Sequence, residues 1–415
     1  MGRTIRVLHI ADLHCGLDQY GHNPVRRRDS TEAFRWLGLT AVDTQCSYVI
    51  ISGDLFDTRA IDPLTLHEVV HVLTFLRDDG MTVLAIKGNH ELAHRSYEGI
   101  SWLNYLEKQD LITLLDDPIY GEIFEDENLR VVGLPWVGSQ TKQALSSIRQ
   151  ELADITAVRG STPYTILMLH AGLEGMLNDH SGNVAMSDLE PLYPYVNCVA
   201  MGHVHKDYEV KDWIYNPGSP ETCSVEETQW PDRGAYLIDI NPETHEHTAQ
   251  LIGRDIPRRP FMVETAHVSA CQTPEQLHTV LGATLVKVSG RLSHTEPPVF
   301  HLTLIGELKF SHADLNIAAI RKFFEASRLF IAVVINDKTT AINQGVTTIN
   351  DDVPRQQLDI EVYNQLFQQD ARSETQCEQY SALTQSLKNR VLQGASTGEI
   401  ITEVRAFNAA RPKEA

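Results

Sequence analysis

Residues 48–57 read YVIISGDLFD, an apolar run that passes directly into a glycine and two carboxylates. The run has the length and the β-branched composition of a buried strand. The same arrangement recurs in RVLHIADLH at residues 6–14 and in TVLAIKGNHE at residues 82–91. Helical patterns separate the three runs. Strands that alternate with helices in this way form parallel sheets, so the sequence predicts an α/β fold.

The two helices between these strands are predicted over Arg26–Thr44 and Pro63–Asp79. Two further strands are predicted, in YTILMLHAGLE at residues 164–174 and in YPYVNCVA at residues 193–200. Ligands of open α/β sheets bind beyond the carboxyl ends of the strands. Because polar residues follow these strands directly, we expect them to meet in one site.

A second, smaller region follows residue 255. Strands are predicted there in FMVETAHVSA, ATLVKVSGRL, VFHLTLIGEL and LFIAVVIND, with helices in PEQLHTVLG and NIAAIRKFFEAS. The last part of the chain is polar, rich in glutamine and predicted to be helical. We therefore divide the chain into a domain over residues 1–255, an α/β domain over residues 256–340 and a helical C-terminal segment over residues 341–415.

The composition is that of an ordinary globular chain of 415 residues, with 42% apolar and 22% charged residues. No run of about 18 apolar residues occurs, so no membrane-spanning helix is predicted. The N-terminal residues enter a strand at once and lack the pattern of a signal peptide. The six cysteines are scattered and form no C-x-x-C pair. These features predict a protein of the reducing cytoplasm.

Polar clusters at the strand ends supply seven candidate metal ligands. They are Asp12, His14, Asp54, Asn89, His170, His203 and His205. If Asp54 bridges, two ions receive four protein contacts each. Oxygen and imidazole donors without thiolate suit Mn, Fe or Zn. The alternation of His203 and His205 lets each face a different ion, and Gly202 is expected to let the backbone turn there.

The motifs D-x-H, G-D-x-x-D, G-N-H-E, a lone histidine and G-H-x-H, in this order, resemble the calcineurin-like metallophosphoesterase superfamily. YNPGSPE at residues 215–221 and DRGAYLIDI at residues 232–240 extend the resemblance to SbcD-type DNA-repair nucleases. The resemblance implies a four-layer αββα sandwich with a smaller α/β capping domain. It also implies DNA as substrate, two divalent ions, here expected to be Mn²⁺, and an SbcC-like coiled-coil ABC ATPase as partner. A homodimer is expected as well.

The resemblance also assigns the side chains. One ion is expected on Asp12, His14, Asp54 and His205, and the other on Asp54, Asn89, His170 and His203. His90 is expected to face the substrate phosphate instead of an ion. Two neighbouring divalent ions offset the repulsion between a phosphodiester and its nucleophile, and they acidify a shared water. The leaving alkoxide needs a proton, which a histidine with a near-neutral pKa can supply, so His90 is the candidate catalytic acid.

Four features of the sequence each allow two interpretations. Asp57 either supports a metal ligand or caps the following turn. The arginines at positions 26–28 either contact phosphates or neutralise nearby carboxylates. HEVVH at residues 67–71 matches a zinc-protease pattern, but its helix should pack along the sheet, so we interpret these as ordinary helix residues. His94 either touches substrate or lies in a solvated loop, and the second interpretation is preferred.

The net charge of −20 lies almost entirely in residues 1–255, where acidic residues outnumber basic ones two to one. Affinity for DNA comes largely from lysine and arginine contacts to phosphates. Weak DNA binding by the isolated chain is therefore expected, with a partner ATPase supplying most of the affinity. In the nearly neutral remainder, candidate duplex contacts are Arg258, Arg259, Arg321 and Lys322. The C-terminal helical segment either docks the ATPase or packs as a tail, and we favour docking.

Three functions are compatible with these patterns. The first is a Mn-dependent DNA exonuclease and endonuclease that works with an ATPase in DNA repair. The second is a small-molecule phosphodiesterase or nucleotidase, which the acidic surface favours and the additional domain disfavours. The third is a scaffold with a vestigial site, but such a site usually lacks a ligand, and none is missing here.

Overall fold

A computed structural model describes residues 4–20, 23–92, 101–127, 129–160, 163–176, 183–292, 296–340, 359–360, 363–364, 367 and 374–410. His94 lies outside these residues. The chain forms two compact units. One comprises Met1–Phe261 with Thr295–Val299, and the other comprises Met262–His294 with Phe300–Ala415.

The first unit contains two six-stranded sheets. In spatial order the first sheet consists of β14 (His247–Ile252), β13 (Ala235–Ile240), β1 (Ile5–Ile10), β2 (Tyr48–Ile51), β3 (Thr82–Ala85) and β4 (Thr113–Leu114). Strands β1 to β4 pair in parallel, whereas β13 and β14 pair antiparallel. The predicted strands at residues 6–14, 48–57 and 82–91 are thus the parallel centre of this sheet.

The second sheet also has a parallel centre. In spatial order it consists of β11 (Tyr208–Val210), β12 (Ile214–Asn216), β10 (Cys198–Gly202), β7 (Tyr164–His170), β6 (Leu129–Leu134) and β5 (Glu122–Glu125). Its four central strands are parallel, and both edge strands are antiparallel. A short parallel pair, β8 (Gly172–Leu173) and β9 (Asn183–Val184), follows β7.

Helices cover the outer faces of both sheets. They are α1 (Pro24–Asp43), α2 (Pro63–Asp78), α3 (Trp102–Lys108), α4 (Thr141–Arg159) and the short α5 (Met186–Leu189). One apolar core joins the first sheet to α1, α2 and α3, a second joins the second sheet to α4, and a third fills the space between the sheets. Three stacked cores make four layers, so the predicted αββα sandwich is confirmed.

The first two helices begin where their sequence provides a cap. The side chain of Asn23 accepts a hydrogen bond from the Val25 backbone N–H, and proline occupies the first helical position. Asp62 caps α2 in the same way, again followed by proline. Proline is favoured at this position because its missing N–H would have no partner within the helix. The cap at Asn23 explains why α1 begins two residues before the predicted start.

The second unit contains the three-stranded sheet β15 (Phe261–His267), β16 (Val299–Glu307) and β17 (Ala332–Thr340), with helices α6 (Pro274–Ser289) and α7 (Ile317–Glu325). The predicted strand in ATLVKVSGRL is wrong, because α6 continues through it to Ser289. The β-branched composition suggested a strand. The buried residues Leu277, Leu281 and Val288 instead recur at a helical spacing and pack into this unit's core.

The C-terminal segment is helical, as predicted, but it contains two helices, α8 (Glu374–Leu392) and α9 (Thr397–Ala410). The second helix was missed. Its start carries a recognisable capping box, since the Ser396 hydroxyl accepts from the Glu399 backbone N–H while the Glu399 carboxylate accepts from the Ser396 backbone N–H. Within the described residues, no helix is both long and apolar enough to cross a membrane.

Candidate metal centre

The polar loops after five parallel strands meet at one site in the first unit. Asp12 and His14 follow β1, Asp54 follows β2, and Asn89 and His90 follow β3. From the second sheet, His170 ends β7, and His203 and His205 follow β10. The structure brings the seven predicted ligand side chains and His90 together, with Asp12, His14 and Asp54 in one group and His203 Nδ1 at 3.1 Å from Asn89 Oδ1.

Four of these residues hold their backbone in the left-handed region. The φ angles are 53° at Asp12, 46° at His14, 52° at Asp54 and 92° at His203. Non-glycine residues adopt such angles at a cost of about 1–3 kcal/mol each, and they concentrate at functional sites. Hydrogen bonds between loops stabilise them, including those from Asp12 N to Gly53 O at 3.1 Å and from His14 N to Asp54 O at 3.0 Å.

Two glycines allow the loops to approach closely. A Cβ atom at Gly88 would lie 2.0 Å from Asp54 Oδ1. A Cβ atom at Gly202 would lie 2.2 Å from the Ser52 carbonyl oxygen. The expectation that Gly202 makes the turn is wrong, because Gly202 belongs to β10 and the left-handed residue is His203. Glycine is required at position 202 for packing against the neighbouring sheet.

The hydrogen bonds of His170 fix its tautomer. Its Nδ1 lies 2.7 Å from the Ser52 carbonyl oxygen, which can only accept, so Nδ1 carries a proton. The neutral ring therefore presents a lone pair at Nε2. That atom lies 3.1 Å from Asn89 Oδ1 and 3.2 Å from Asp54 Oδ2. Three acceptor atoms thus converge, and they require a cation or an additional proton between them.

A second pair of acceptors converges at His14 and His205. His205 Nδ1 donates to Glu227 Oε1 at 2.8 Å, and His14 Nδ1 lies 3.2 Å from Asp57 Oδ1. The hydrogen bond to Glu227 places a proton on His205 Nδ1, so the neutral ring presents its lone pair at Nε2. This Nε2 atom faces the Nε2 atom of His14. These atoms lie 3.0 Å apart. The donor set therefore fits divalent cations, with Asp12, His14 and Asp54 also grouped closely enough to share one ion.

Neighbouring charges move the pKa values of two histidines in opposite directions. Burial opposes protonation of His170, but the Asp54 carboxylate outweighs it and raises the pKa of His170 to about 9. Burial, together with the charge of His170, lowers the pKa of His203 to about 4. Without a cation, a proton on His170 thus relieves the repulsion around Asp54. An ion bound there must displace that proton.

His90 lies beside this centre. Its backbone N–H donates to Asp54 Oδ1 at 2.9 Å, and its Nδ1 donates to the backbone carbonyl of Asp57. The ring meets His14 edge to face at a centroid distance of 4.7 Å. With Nδ1 occupied, Nε2 is the nitrogen that can exchange a proton with a substrate.

The buried Glu91 joins two of the loops. Its carboxylate accepts backbone N–H bonds from Asp54 at 3.0 Å, Phe56 at 2.9 Å and Gly88 at 2.7 Å. Burial and the nearby Asp54 charge raise the pKa of Glu91 to about 8, although the N–H donors act in the opposite direction. This glutamate therefore positions Asp54 relative to the GNHE loop.

Sequence reasoning missed three supporting residues. Asn216, within YNPGSPE, donates to the carbonyls of Val204 at 2.6 Å and Lys206 at 2.8 Å, and so holds the loop that carries His203 and His205. Trp136 lies against His203 at a ring distance of 4.6 Å. The third is Glu227, the partner of His205. The ion pair with His205 lowers the pKa of Glu227 to about 2, despite burial.

The arginines mostly neutralise carboxylates inside the first unit. Arg26 is fully buried and lies 3.0 Å from both Asp29 and Glu221. Arg27 pairs with Asp18 at 2.5 Å, whereas Arg28 is exposed. For Arg26 and Arg27 the structure therefore favours the second of the two interpretations.

Two of the expected DNA contacts, Arg258 and Arg259, already have partners within the first unit. Arg259 is 7% exposed and pairs with Asp29 at 2.5 Å. Arg258 donates to the Pro220 carbonyl at 2.5 Å. Both side chains therefore bind other residues of the first unit. Arg321 and Lys322, on α7, are exposed and stay candidates.

The HEVVH histidines are not part of a metal-binding group in the described portion of the chain. His67 and His71 are exposed on α2, and neither belongs to a cluster of potential ligands found there. This agrees with their interpretation as ordinary helix residues.

Comparison with known proteins shows which family and which relatives this chain is similar to. Residues 5–207 match the family model for calcineurin-like phosphoesterases. A protein of Saccharolobus solfataricus named DNA double-strand break repair protein Mre11 is 29% identical over 247 residues, which cover 58% of this chain and 61% of that protein. The Haloferax volcanii protein of the same name is 38% identical over 265 residues, or 62% of this chain and 53% of that protein.

A solved structure of a dimetal phosphatase from Danio rerio aligns with 60% of this chain and 96% of its own, at 16% identity and a TM-score of 0.38. The chain spans about half to three fifths of the length of the curated relatives described above. Residues 5–207 are therefore similar to the calcineurin-like phosphoesterases, and the chain is similar in sequence to the Mre11 proteins.

Proposed function

We propose that this chain is a Mn²⁺-dependent DNA nuclease, with exonuclease and endonuclease activity, that hydrolyses phosphodiester bonds with two divalent ions. The observation that carries the proposal is that Asp54 Oδ2 and Asn89 Oδ1 both lie within 3.2 Å of His170 Nε2. Such a group of acceptors is suited to a cation. The relatives' name refers to DNA double-strand break repair, which supports DNA as substrate.

The proposed ligand assignment is the one that the family resemblance implies. One ion would be held by Asp12, His14, Asp54 and His205, and the other by Asp54, Asn89, His170 and His203. Two such ions, when bound, supply charge neutralisation at the phosphate and a water of lowered pKa. The chain's own contribution is to fix the imidazole lone pairs toward that position, through Ser52 for His170 and through Glu227 for His205.

His90 is the proposed general acid. Its Nδ1 proton is held by the Asp57 carbonyl, so in the protonated ring the proton on Nε2 is the one available to the leaving alkoxide. A positioned acid contributes about 10²–10⁴ in rate. Its backbone N–H also binds Asp54, which keeps His90 in register with the proposed bridging ligand.

The three segments of the chain are assigned separate roles. Residues 1–255 would form the nuclease domain, residues 256–340 a capping domain, and residues 341–415 the docking element for an SbcC-like ABC ATPase in a cytoplasmic homodimer. The apolar residues Val391, Leu392 and Ile401, exposed on α8 and α9, support the docking role.

The experiment is a pair of parallel assays with Mn²⁺, one on end-labelled linear duplex DNA and one on a chromogenic phosphodiester. Shortening of the DNA supports the proposal. Dye release without DNA cleavage would instead indicate the small-molecule phosphodiesterase, and inactivity in both assays would contradict an enzyme. The variant Asp54→Asn, which lacks the bridging carboxylate, is the control and should be inactive in both.

A further inference from the structure

A buried thiol lies at the metal centre. Cys223 is 5% exposed and sits in the loop that follows β12. One ligand atom from each of Cys223, His14 and His205 lies within 4.8 Å of the others. The motifs that predicted the centre contain no cysteine, so this donor was missed.

The position of Cys223 is tied to that of His205. Its backbone N–H donates to Glu227 Oε2 at 2.8 Å, while Oε1 of the same carboxylate accepts from His205 Nδ1 at 2.8 Å. Glu227 is itself 3% exposed. One buried carboxylate therefore positions both the imidazole and the residue that bears the thiol.

An independent observation also indicates a cation at this place. The Nε2 atoms of His14 and His205 face each other at 3.0 Å, each with its Nδ1 in contact with a carboxylate. Ligands of one zinc ion, at about 2.0–2.3 Å from the metal, lie about 3–4 Å from one another. The two imidazole nitrogens thus have the spacing of ligands of one ion, and the thiol lies within 4.8 Å of both residues' ligand atoms.

We propose that Cys223 is a further ligand of the ion held by His14 and His205, and that it makes this position selective for Zn²⁺ over Mn²⁺. A thiolate is a soft donor, which favours zinc over manganese. When the ion binds, the S–H bond breaks, a metal–sulfur bond forms and the proton leaves to solvent. The proposed second position, at Asn89, His170 and His203, has nitrogen and oxygen ligands only.

This inference rests on the proposed two-ion centre and refines it, since the two positions would differ in chemistry. Zinc would occupy the sulfur-containing position, and Mn²⁺ would be retained at the other. A mixed centre of this kind requires no change in the ligand assignment of the other ion.

The test is X-ray absorption spectroscopy at the zinc edge on the full chain, loaded with two equivalents of Zn²⁺. We expect a sulfur neighbour at about 2.3 Å, at about one sulfur per two zinc ions, and its loss in Cys223→Ser. That variant should also bind its first zinc about 10- to 100-fold more weakly, with Mn²⁺ binding nearly unchanged. Cys46→Ser, which alters a buried thiol outside the clustered ligands, should keep the sulfur signal.

The outcomes separate the two proposals. Two bound zinc ions with nitrogen and oxygen neighbours alone in the unaltered chain would overturn the role of Cys223 and leave the two-ion centre intact. Failure to bind two ions at all would contradict the centre itself. Because the spectrum of the unaltered chain decides the point, the inference is tested even if Cys223→Ser does not fold.

Discussion

Each of three histidines in the centre has one ring nitrogen in contact with an oxygen atom. Ser52 O occupies His170 Nδ1, Glu227 occupies His205 Nδ1, and Asp57 lies next to His14 Nδ1. The hydrogen bonds to Ser52 O and Glu227 fix the tautomers of His170 and His205 and increase the basicity of their free nitrogens. At the scale of single residues, these oxygen atoms determine which atoms are available to an ion.

Replacing Glu227 with glutamine should therefore weaken one metal position. The amide retains the size of the side chain but removes the charge that holds the proton on His205 Nδ1. We expect the Zn²⁺ affinity of the position at His205 to fall by about tenfold or more, as measured by titration calorimetry. Glu226→Gln alters an exposed neighbour and should leave affinity unchanged. Equal affinities in both variants would argue against the positioning role.

The variant His90→Asn should separate metal binding from catalysis. Since His90 is not an assigned ligand, both ions should still bind, while turnover of duplex DNA should fall by about 10²–10⁴. Metal stoichiometry and cleavage rate, measured on the same sample, test this. His71→Asn, on the exposed face of α2, is the matched control and should retain full activity. Normal turnover in His90→Asn would remove this residue from the mechanism.

At the scale of elements, a polar contact joins the two sheets. His9 on β1 donates from Nε2 to the Met201 carbonyl of β10 at 3.0 Å. Ser52, after β2, donates to the Ala200 carbonyl of the same strand at 3.0 Å. These bonds cross an otherwise apolar layer. Burial lowers the pKa of His9 to about 3, so the ring is neutral in the folded chain.

This burial makes folding stability depend on pH. The unfolded chain protonates His9 below its usual pKa of about 6.5, and the folded chain does so only near 3. Because the unfolded state binds more protons in that interval, stability falls as pH falls from 6.5 toward 3, by about 2 kcal/mol at pH 5. Urea unfolding at pH 7 and pH 5 measures the loss.

His9→Gln is the informative variant for that measurement. Glutamine retains an N–H donor for the Met201 carbonyl but does not titrate in this range. The variant should therefore lose about 2 kcal/mol less between pH 7 and pH 5 than the unaltered chain. An identical pH dependence in both proteins would show that His9 is not the group responsible.

The sequence predicts those parts of the fold that are marked by a pattern in neighbouring residues. The ligands follow strand ends, and strand ends are visible as apolar runs that stop at polar residues. Contacts between distant segments leave no such pattern: Arg26 and Glu221 are separated by 195 residues, and His9 and Met201 by 192. The partners of Arg26, like the thiol at the centre, therefore required the structure.

Residue composition gave a wrong prediction where the secondary-structure preference of a segment conflicts with its tertiary packing. ATLVKVSGRL is rich in β-branched residues and was predicted to be a strand, yet most of it belongs to α6, whose buried face is made by Leu277, Leu281 and Val288. Tertiary packing overrides such weak preferences. The start of α9, in contrast, was visible as a capping box and was overlooked.

At the scale of the whole molecule, three arginines of the first unit are occupied by partners within that unit. Arg26, Arg258 and Arg259 are engaged with carboxylates or carbonyls of that unit. Arginines held in this way are poorly placed to release counterions from DNA, which is the main source of non-specific affinity. The structure therefore strengthens the expectation of weak DNA binding by the isolated chain.

Fluorescence anisotropy with labelled duplex DNA tests this, using His90→Asn with Mn²⁺ to prevent cleavage. We expect a Kd of about 10⁻⁶ M or weaker near physiological salt, with a shallow dependence on salt concentration because few phosphates are neutralised. Replacing both Arg321 and Lys322, exposed on α7, with alanine should weaken binding further and reduce the salt slope by about two. The matched control is Arg35→Ala with Arg77→Ala, which removes two exposed arginines of the first unit that already pair with Glu32 and Asp78. Nanomolar binding by the isolated chain, or equal losses in both double variants, would contradict the charge argument.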